Sequence, residues 1–346
     1  VKAARLFGRL DLRVEEIPVP VINDNEVLIK VKSAFICGTD VRMYKNGKMG
    51  IDFSHPVILG HEFAGIIEET GKNVRSYQKG MRVAVAPNYG CGVCSFCVSG
   101  NNQLCRNSNS IGVTVDGGFA EFVCIPENAV SQGNIALIDG ALSFEAAALA
   151  EPLSCVYNAY EKIGIYPGDK VLIIGAGPIG IMHAKVARLA GASQIYLHDV
   201  NTERLLQCEK IDPNFIAVHT DSLKAEMMKR TQKRGVDLVI TAASVPAVQE
   251  EAFTLAGING RVMFFGGLPA GSSFVSLDTN EIHYKQLTVS GTTRQSIRQY
   301  RKVLGLLASG SLMVDDLVTS CSSVEHIHKV IEDVLAGKGF KISIRF

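Results

Sequence analysis

The sequence predicts an α/β protein in two unlike parts: a β-rich domain, and a doubly wound parallel sheet covered by helices on both faces. Three observations predict this. Roughly the first 150 residues carry short β-like runs separated by Gly and Pro. From residue 170 onward, continuous apolar runs alternate with helical stretches. A glycine-rich turn joins the first such run to its helix.

The early runs include Val27-Leu28-Ile29-Lys30-Val31 and Arg82-Val83-Ala84-Val85. Lys170-Val171-Leu172-Ile173-Ile174 is unbroken by charge after its first residue, as a strand covered on both faces must be. A helix follows from Pro178 to about Leu189, closed by Gly191. The series continues with strand Gln194 to Asp199, helix Thr202 to Lys210, and strands at Phe215 to Val218, Val236 to Ile240, Arg261 to Phe265 and Gln286 to Val289. Helices from about Ser296 to Ser309 and Val324 to Leu335 lead to a closing run, Lys341-Ile342-Ser343-Ile344.

The chain has 346 residues, which suggests two or three domains, and its 47 % apolar content suffices for sizeable cores. Its 35 Lys and Arg against 34 Asp and Glu give no basic field, which argues against a nucleic-acid or anionic-membrane binder. No apolar run is long enough to span a bilayer. The opening Val1-Lys2-Ala3-Ala4-Arg5 lacks the apolar core of a signal peptide, which predicts a cytoplasmic protein.

The nine cysteines are clustered. Cys91, Cys94, Cys97 and Cys105 form C-x2-C-x2-C-x7-C, four soft ligands in one loop, which suits a structural zinc. The bacterial iron–sulfur run is C-x2-C-x2-C-x3-C-P, whereas here the last gap is seven residues and Arg106 follows. Disulfides are the remaining alternative. Four protein ligands leave no open position, so this metal would hold a loop and do no chemistry. Cys124, Cys155, Cys208 and Cys321 are expected as small buried hydrophobes.

Gly175-Ala176-Gly177-Pro178-Ile179-Gly180 is G-x-G-x-x-G between a buried-type strand and a helix. Gly175 permits the tight turn, Gly177 lets backbone approach a pyrophosphate, and Gly180 lets helix and strand pack. Pro178, which has no N–H of its own, begins the helix, and the free N–H groups from Ile179 onward open toward that anion. Asp199 lies 19 residues past Gly180, placed to accept hydrogen bonds from both adenosine ribose hydroxyls and to repel a 2′-phosphate. NAD is therefore expected over NADP. Arg204 could instead serve NADP, stack on adenine, or be a solvated helix residue.

A second constellation is dispersed. Cys37-Gly38-Thr39-Asp40 follows a strand, Gly60-His61-Glu62 comes next, and Ala150-Glu151-Pro152 precedes the nucleotide domain. A lone Cys, His or Glu is usually structural. Together they offer a thiolate, an imidazole and carboxylates, and three such ligands with one exchangeable position make a catalytic zinc site.

With these motifs assembled, the chain resembles the zinc-dependent medium-chain dehydrogenases over essentially its full length. The residues that carry the likeness are Cys37 to Asp40, Gly60-His61-Glu62 with Gly65, Gly71 and Val74, the cysteine quartet, Gly117-Gly118-Phe119-Ala120-Glu121, Glu151-Pro152 and Gly175 to Gly180. Glu62 after the zinc-binding His, with Glu151-Pro152, is similar to the sorbitol (polyol) and threonine dehydrogenase branch. The resemblance implies a GroES-like catalytic domain from residues 1–152 and 292–346, and a Rossmann NAD-binding domain from residues 153–291. It implies two zinc ions per subunit. Cys37 and His61 ligate the catalytic one, with Glu62 as third ligand or close by, and Glu151 ligating or holding a water. It also implies a homo-oligomer, a dimer or tetramer. Thr39 occupies the position of a relay hydroxyl that takes the alcohol proton toward the cofactor ribose.

One departure matters. Relatives commonly carry His five residues after the zinc Cys, and this chain has Arg42. Guanidinium has no accepting lone pair and cannot be a relay base. The proton is then expected to leave through water or Glu151, with Arg42 contacting a cofactor phosphate or an anionic substrate, or simply lying at the surface.

The expected reaction is hydride transfer between NAD and a secondary alcohol of a polyol (sorbitol, xylitol or iditol type). A sugar-alcohol phosphate is second, because Arg42, Lys45, Lys48, Arg294 and Arg298 could pair a phosphate. L-threonine is third, with Arg294 as carboxylate clamp. Non-enzymatic alternatives are an NAD-binding sensor or a crystallin-like use of the scaffold. The complete Cys37, His61, Glu62 and Glu151 set disfavours both, since neither needs an open metal site.

Overall fold

In the computed structural model, which describes residues 1–269 and 271–346, the run Val27–Phe35 forms a nine-residue strand buried along most of its length. Its apolar side chains alternate with Lys30 and Lys32, the pattern of a strand with one wet face. It is the hub of a seven-stranded sheet. One edge pairs antiparallel with Glu62–Thr70 along its length, and the first half of the opposite edge, Val27 to Lys30, pairs antiparallel with Phe122–Ile125. The second half of that same edge receives the strand Lys341–Arg345, with Ser343 opposite Phe35. Ser33 and Ser343 meet side chain to side chain at 3.0 Å in the core of this pairing. Sequence periodicity supports such a return only weakly; cross-strand pairing decides it.

The chain divides into two units, Val1–Ser154 with Arg294–Phe346, and Cys155–Thr293. The first unit's core contains Leu6, Ile29, Phe63, Ile67, Val83, Phe119 and Ile344. Of the four cysteines expected to be buried, Cys208 is buried, Cys124 and Cys155 are half-buried, and Cys321 is exposed. Cys321 lies on Val318–Ser323, an edge strand of the sheet, where a second strand covers only one side.

The second unit is a six-stranded parallel sheet. From edge to edge its strands are Phe215–Ala217, Gln194–His198, Lys170–Ile174, Val236–Thr241, Ala256–Phe264 and Thr288–Gly291. The chain starts at the centre, winds outward on one side, then crosses and winds outward on the other. This is the doubly wound order of a dinucleotide fold. Pro178–Leu189 is the first crossover helix, with Pro at its first turn where a missing N–H costs nothing. No helix among the described residues is long and apolar enough to cross a membrane.

His183 lies inside that helix, 2 % exposed, its ring edge-on to Phe265 with centroids 4.6 Å apart. Nε2 has no hydrogen bond among the described residues, and burial pushes the imidazole down to about 3. In the unfolded chain it titrates near 6.5. Above that pH neither state takes the proton; between there and about 3 only the unfolded chain does. Stability is therefore lost as pH falls, by about 2 kcal/mol between roughly pH 7 and 5 for this group alone. In His183→Leu the drop in urea-unfolding free energy between those pH values shrinks by about that amount. An unchanged drop contradicts the assignment.

Candidate active site

Cys37 stands two residues past strand Val27–Phe35 and caps helix Gly38–Asn46. Its backbone N–H donates to Asp40 Oδ2 at 2.8 Å, so the helix start holds Asp40 in place. Asp40 is 1 % exposed, and its Oδ1 lies 3.3 Å from His61 Nδ1. This is an ion-pair distance without hydrogen-bond geometry. With Nδ1 facing a carboxylate, Nε2 is the nitrogen left for a metal.

His61 is aimed by glycine packing. Gly60 sits at φ +95°, and a Cβ there would fall 2.5 Å from the Phe119 ring. A Cβ at Gly117 would lie 2.3 Å from both the Gly60 carbonyl oxygen and Gly112 Cα. Backbone cannot yield as a side-chain tip can, so this corner accepts no side chain.

Glu62 opens strand Glu62–Thr70 opposite Phe35 and is fully buried. Lys341, 5 % exposed, donates from Nζ to Glu62 Oε2 at 2.5 Å, passing over the Phe35 ring at 5.9 Å. Glu62 Oε1 has no hydrogen-bond partner among the described residues. Donor atoms of Cys37, His61 and Glu62 all lie within 4.8 Å of one another. Burial disfavours charge on His61, yet the Asp40 carboxylate and the Cys37 sulfur outweigh it and hold the imidazole well above its ordinary value. The same contest at Lys341, burial against Glu62 and the Cys37 sulfur, ends above the ordinary lysine value. The pocket favours cations. Its donor set of sulfur, nitrogen and oxygen, with orphaned lone pairs, fits zinc.

Glu151 is outside that set of three donors. It is 6 % exposed near the start of helix Ala150–Ile163, and Gln295 Nε2 donates to its Oε1 at 3.0 Å. Asn88 Nδ2 in turn donates to Gln295 Oε1 at 3.2 Å. Burial, with Glu62 nearby and His61 opposing, pushes Glu151 up to about 7. Thr39, in the first turn of Gly38–Asn46, accepts a hydrogen bond from Arg42 Nη2 at 3.1 Å. Lys45 lies exposed on the same helix.

The donor atoms of Cys91, Cys94, Cys97 and Cys105 also lie within 4.8 Å of one another, and none of the four forms a disulfide. The Cys94 and Cys97 sulfurs are 3.5 Å apart, near the ~3.8 Å edge of a ZnS4 tetrahedron. Gly90 makes room, since a Cβ there would reach the Cys97 sulfur at 2.4 Å. Backbone N–H groups of Val93 and Cys94 pull Cys91 down to about 6, while burial and neighbouring thiols push Cys97 up to about 12. Four sulfurs this close could all be thiolates only around a cation, and the set fits a zinc.

In the second unit Gly175 turns at φ +110°, and a Cβ at Gly180 would sit 1.8 Å from the Gly175 carbonyl oxygen. A Cβ at Gly177 would meet only the Arg204 guanidinium, at 3.8 Å. Protein packing therefore does not require glycine at that position; close approach of a pyrophosphate does. Asp199 Oδ2 accepts from the Ala176 N–H at 2.8 Å and Oδ1 from the Asn201 N–H at 2.9 Å, with Arg204 Nη1 3.5 Å from Oδ2. The carboxylate thus steadies the loop and keeps lone pairs for ribose hydroxyls. The loop fits a dinucleotide.

Sequence reasoning missed Lys341, Gln295 and the part played by Asp40. Asp40 had a local signal, an acidic residue three positions after a helix cap. Lys341 and Gln295 had none, since each reaches its partner across the fold.

Residues 23–134 match the family model for an alcohol dehydrogenase GroES-like domain, and residues 178–309 that for a zinc-binding dehydrogenase. The chain is 34 % identical over 345 residues to an L-threonine 3-dehydrogenase of Bacillus velezensis, covering 99 % of this chain and 96 % of the relative. It is 33 % identical over 341 residues to a sorbitol dehydrogenase of Bacillus subtilis, covering 98 % and 94 %. A zinc-binding dehydrogenase of Sinorhizobium meliloti, solved bound to NADP, superposes with a TM-score of 0.89 at 30 % identity over 100 % of this chain and 99 % of that one.

Two outcomes follow for stability. Gly117→Ala lowers the urea-unfolding free energy by about 1–3 kcal/mol through overpacking. Lys341→Met strands a buried carboxylate and lowers it by about 3–5 kcal/mol, and adding Glu62→Gln recovers part of the loss. Recovery of nothing would mean that Lys341 acts through packing alone.

Proposed function

The chain belongs to the zinc-dependent medium-chain dehydrogenases, and from that premise we propose that it oxidises a secondary alcohol of a polyol to the ketose, with NAD as hydride acceptor. Cys37, His61 and Glu62 hold the catalytic zinc in this reading, and the cysteine quartet holds a structural one. One observation carries it: the charge balance around Glu62. With Cys37 and His61 in the deprotonated forms that bind a metal, Cys37, Glu62 and Asp40 would bring three negative charges together, and Lys341 would supply one positive charge. A divalent cation neutralises the remainder, and a buried site tolerates little else.

A zinc held by Cys37, His61 and Glu62 would supply Lewis-acid chemistry, lowering the pKa of an alcohol hydroxyl. Asp40 orients His61, and Lys341 fixes Glu62 through Oε2 so that Oε1 faces the donor set. Gln295 holds Glu151 as acceptor for a water or a substrate hydroxyl. Thr39 accepts the substrate proton at Oγ1 and gives its own to water. Arg42 takes one Thr39 lone pair, leaving one to accept with and one O–H to donate. Arg42 cannot itself take the proton. Asp199 supports NAD because its carboxylate would face a 2′-phosphate, although the nearby Arg204 offsets part of that charge. A second reading, L-threonine, is favoured by the Bacillus velezensis relative.

The test is nicotinamide absorbance with NAD or NADP against sorbitol, xylitol, iditol and L-threonine, with and without a chelator, alongside elemental analysis. Two zinc ions per chain are expected, one per donor group, and His61→Ala should retain one zinc and lose turnover. Alcohol oxidation undiminished with metal in the four-thiolate loop alone would end this reading.

A further inference from the structure

Two cations, Lys48 and Arg294, reach the segment that follows the cysteine quartet. Lys48 follows the helix that starts at Cys37, and its Nζ donates to the Val113 carbonyl oxygen at 2.6 Å. Val113 is next to Gly112, whose backbone is pressed on Gly60 and His61: a Cβ at Gly112 would lie 2.8 Å from the His61 nitrogen. Arg294 arrives from a distant part of the sequence. It precedes Gln295, which holds Glu151, and its Nη1 donates to Ser108 Oγ at 3.0 Å. Both cations are thus tied to the segment after the cysteine quartet, and each is one short step from a residue of the candidate active site.

Two features of the pair are unfavourable for folding alone. Among the described residues, no carboxylate lies within ion-pair distance of Lys48. Burial, and then the charge of Arg294, push the Lys48 ammonium below its ordinary value. Arg294 sits at φ +56°, a left-handed conformation that few side chains other than Asn and Asp adopt. Strain at a functional group is held where the surroundings over-determine it. An anion between the two cations would relieve their repulsion and use the geometry the strain maintains.

We propose that Lys48 and Arg294 form the anion-binding end of the substrate site, and that the substrate is the phosphate monoester of a polyol. The inference rests on the polyol reading above and narrows it. A phosphomonoester carries close to two charges at neutral pH and three acceptor oxygens, enough for an ammonium and a guanidinium together. A carboxylate would be satisfied by the guanidinium alone. The phosphate ester stays intact. Hydride passes from the carbinol carbon to the nicotinamide, the hydroxyl proton leaves by way of Thr39 to water, and the product is a ketose phosphate.

The test compares sorbitol with sorbitol 6-phosphate at saturating NAD. For the wild-type enzyme kcat/KM is expected to be about 100-fold or more higher for the phosphate ester, and inorganic phosphate should compete with it. Lys48→Met and Arg294→Met should each cut the ratio of the two kcat/KM values by about 10-fold or more, and Arg294→Lys should restore part of it. Equal kcat/KM values for the two substrates in the wild-type enzyme overturn the proposal whatever the variants do. So does a preference for L-threonine that depends on Arg294 and ignores Lys48. If sorbitol is oxidised and its phosphate is not, this inference alone fails. If neither is oxidised while another class of alcohol is, the polyol reading fails with it.

Discussion

The buried pair of Lys341 and Glu62 is the constraint on which the candidate site depends. Glu62 is fully buried, and without the lysine its charge would be costly next to the Cys37 sulfur and Asp40. Lys341 reaches it only because the last strand pairs with Val27–Phe35, whose other edge carries Glu62. Pairing of the chain's end with its beginning is therefore an electrostatic requirement of the site as well as a closure of the sheet. By holding Oε2, Lys341 compensates the carboxylate's charge and leaves Oε1 without a hydrogen-bond partner among the described residues.

The two metal-type clusters show how ligand count separates structure from chemistry. The cysteine quartet offers four equivalent sulfurs from one loop, and a tetrahedral ion would be saturated by them. The second cluster offers three unlike donors from separate elements, with Glu151 standing beside it on a further helix. Three donors leave a position open for an oxygen ligand. Its neighbours are hydrogen-bonded partners, such as Asp40 and Gln295, that hold direction.

Arg42 stands where the resemblance leads one to expect a relay histidine, and on the proposed reading this changes what the helix after Cys37 can do. Arg42 donates to Thr39 and so sets the hydroxyl's direction, but offers no exit for a proton. Basic character continues along this segment to Lys48, and Arg294 meets it from the far side of the sequence. On the proposed reading, Lys48 and Arg294, both tied to the segment after the cysteine quartet, would serve a substrate with a reacting hydroxyl at one end and an anion at the other.

Local sequence was sufficient wherever the partners were close along the chain. The glycine-rich turn, the helix behind it and Asp199 lie within one strand–helix–strand unit, and the cysteine quartet spans fifteen residues, so spacing alone carried their geometry. Period and apolar runs likewise determined the parallel sheet, because a strand covered on both faces has no freedom to be polar. Tertiary structure decided what depended on long separations. Lys341 and Glu62 are 279 residues apart, and Gln295 and Glu151 are 144 apart. A charged residue at a strand end reads as solvated until the neighbouring strands are known. Only the folded sheet, by burying these groups together, turns them from surface charges into parts of a site.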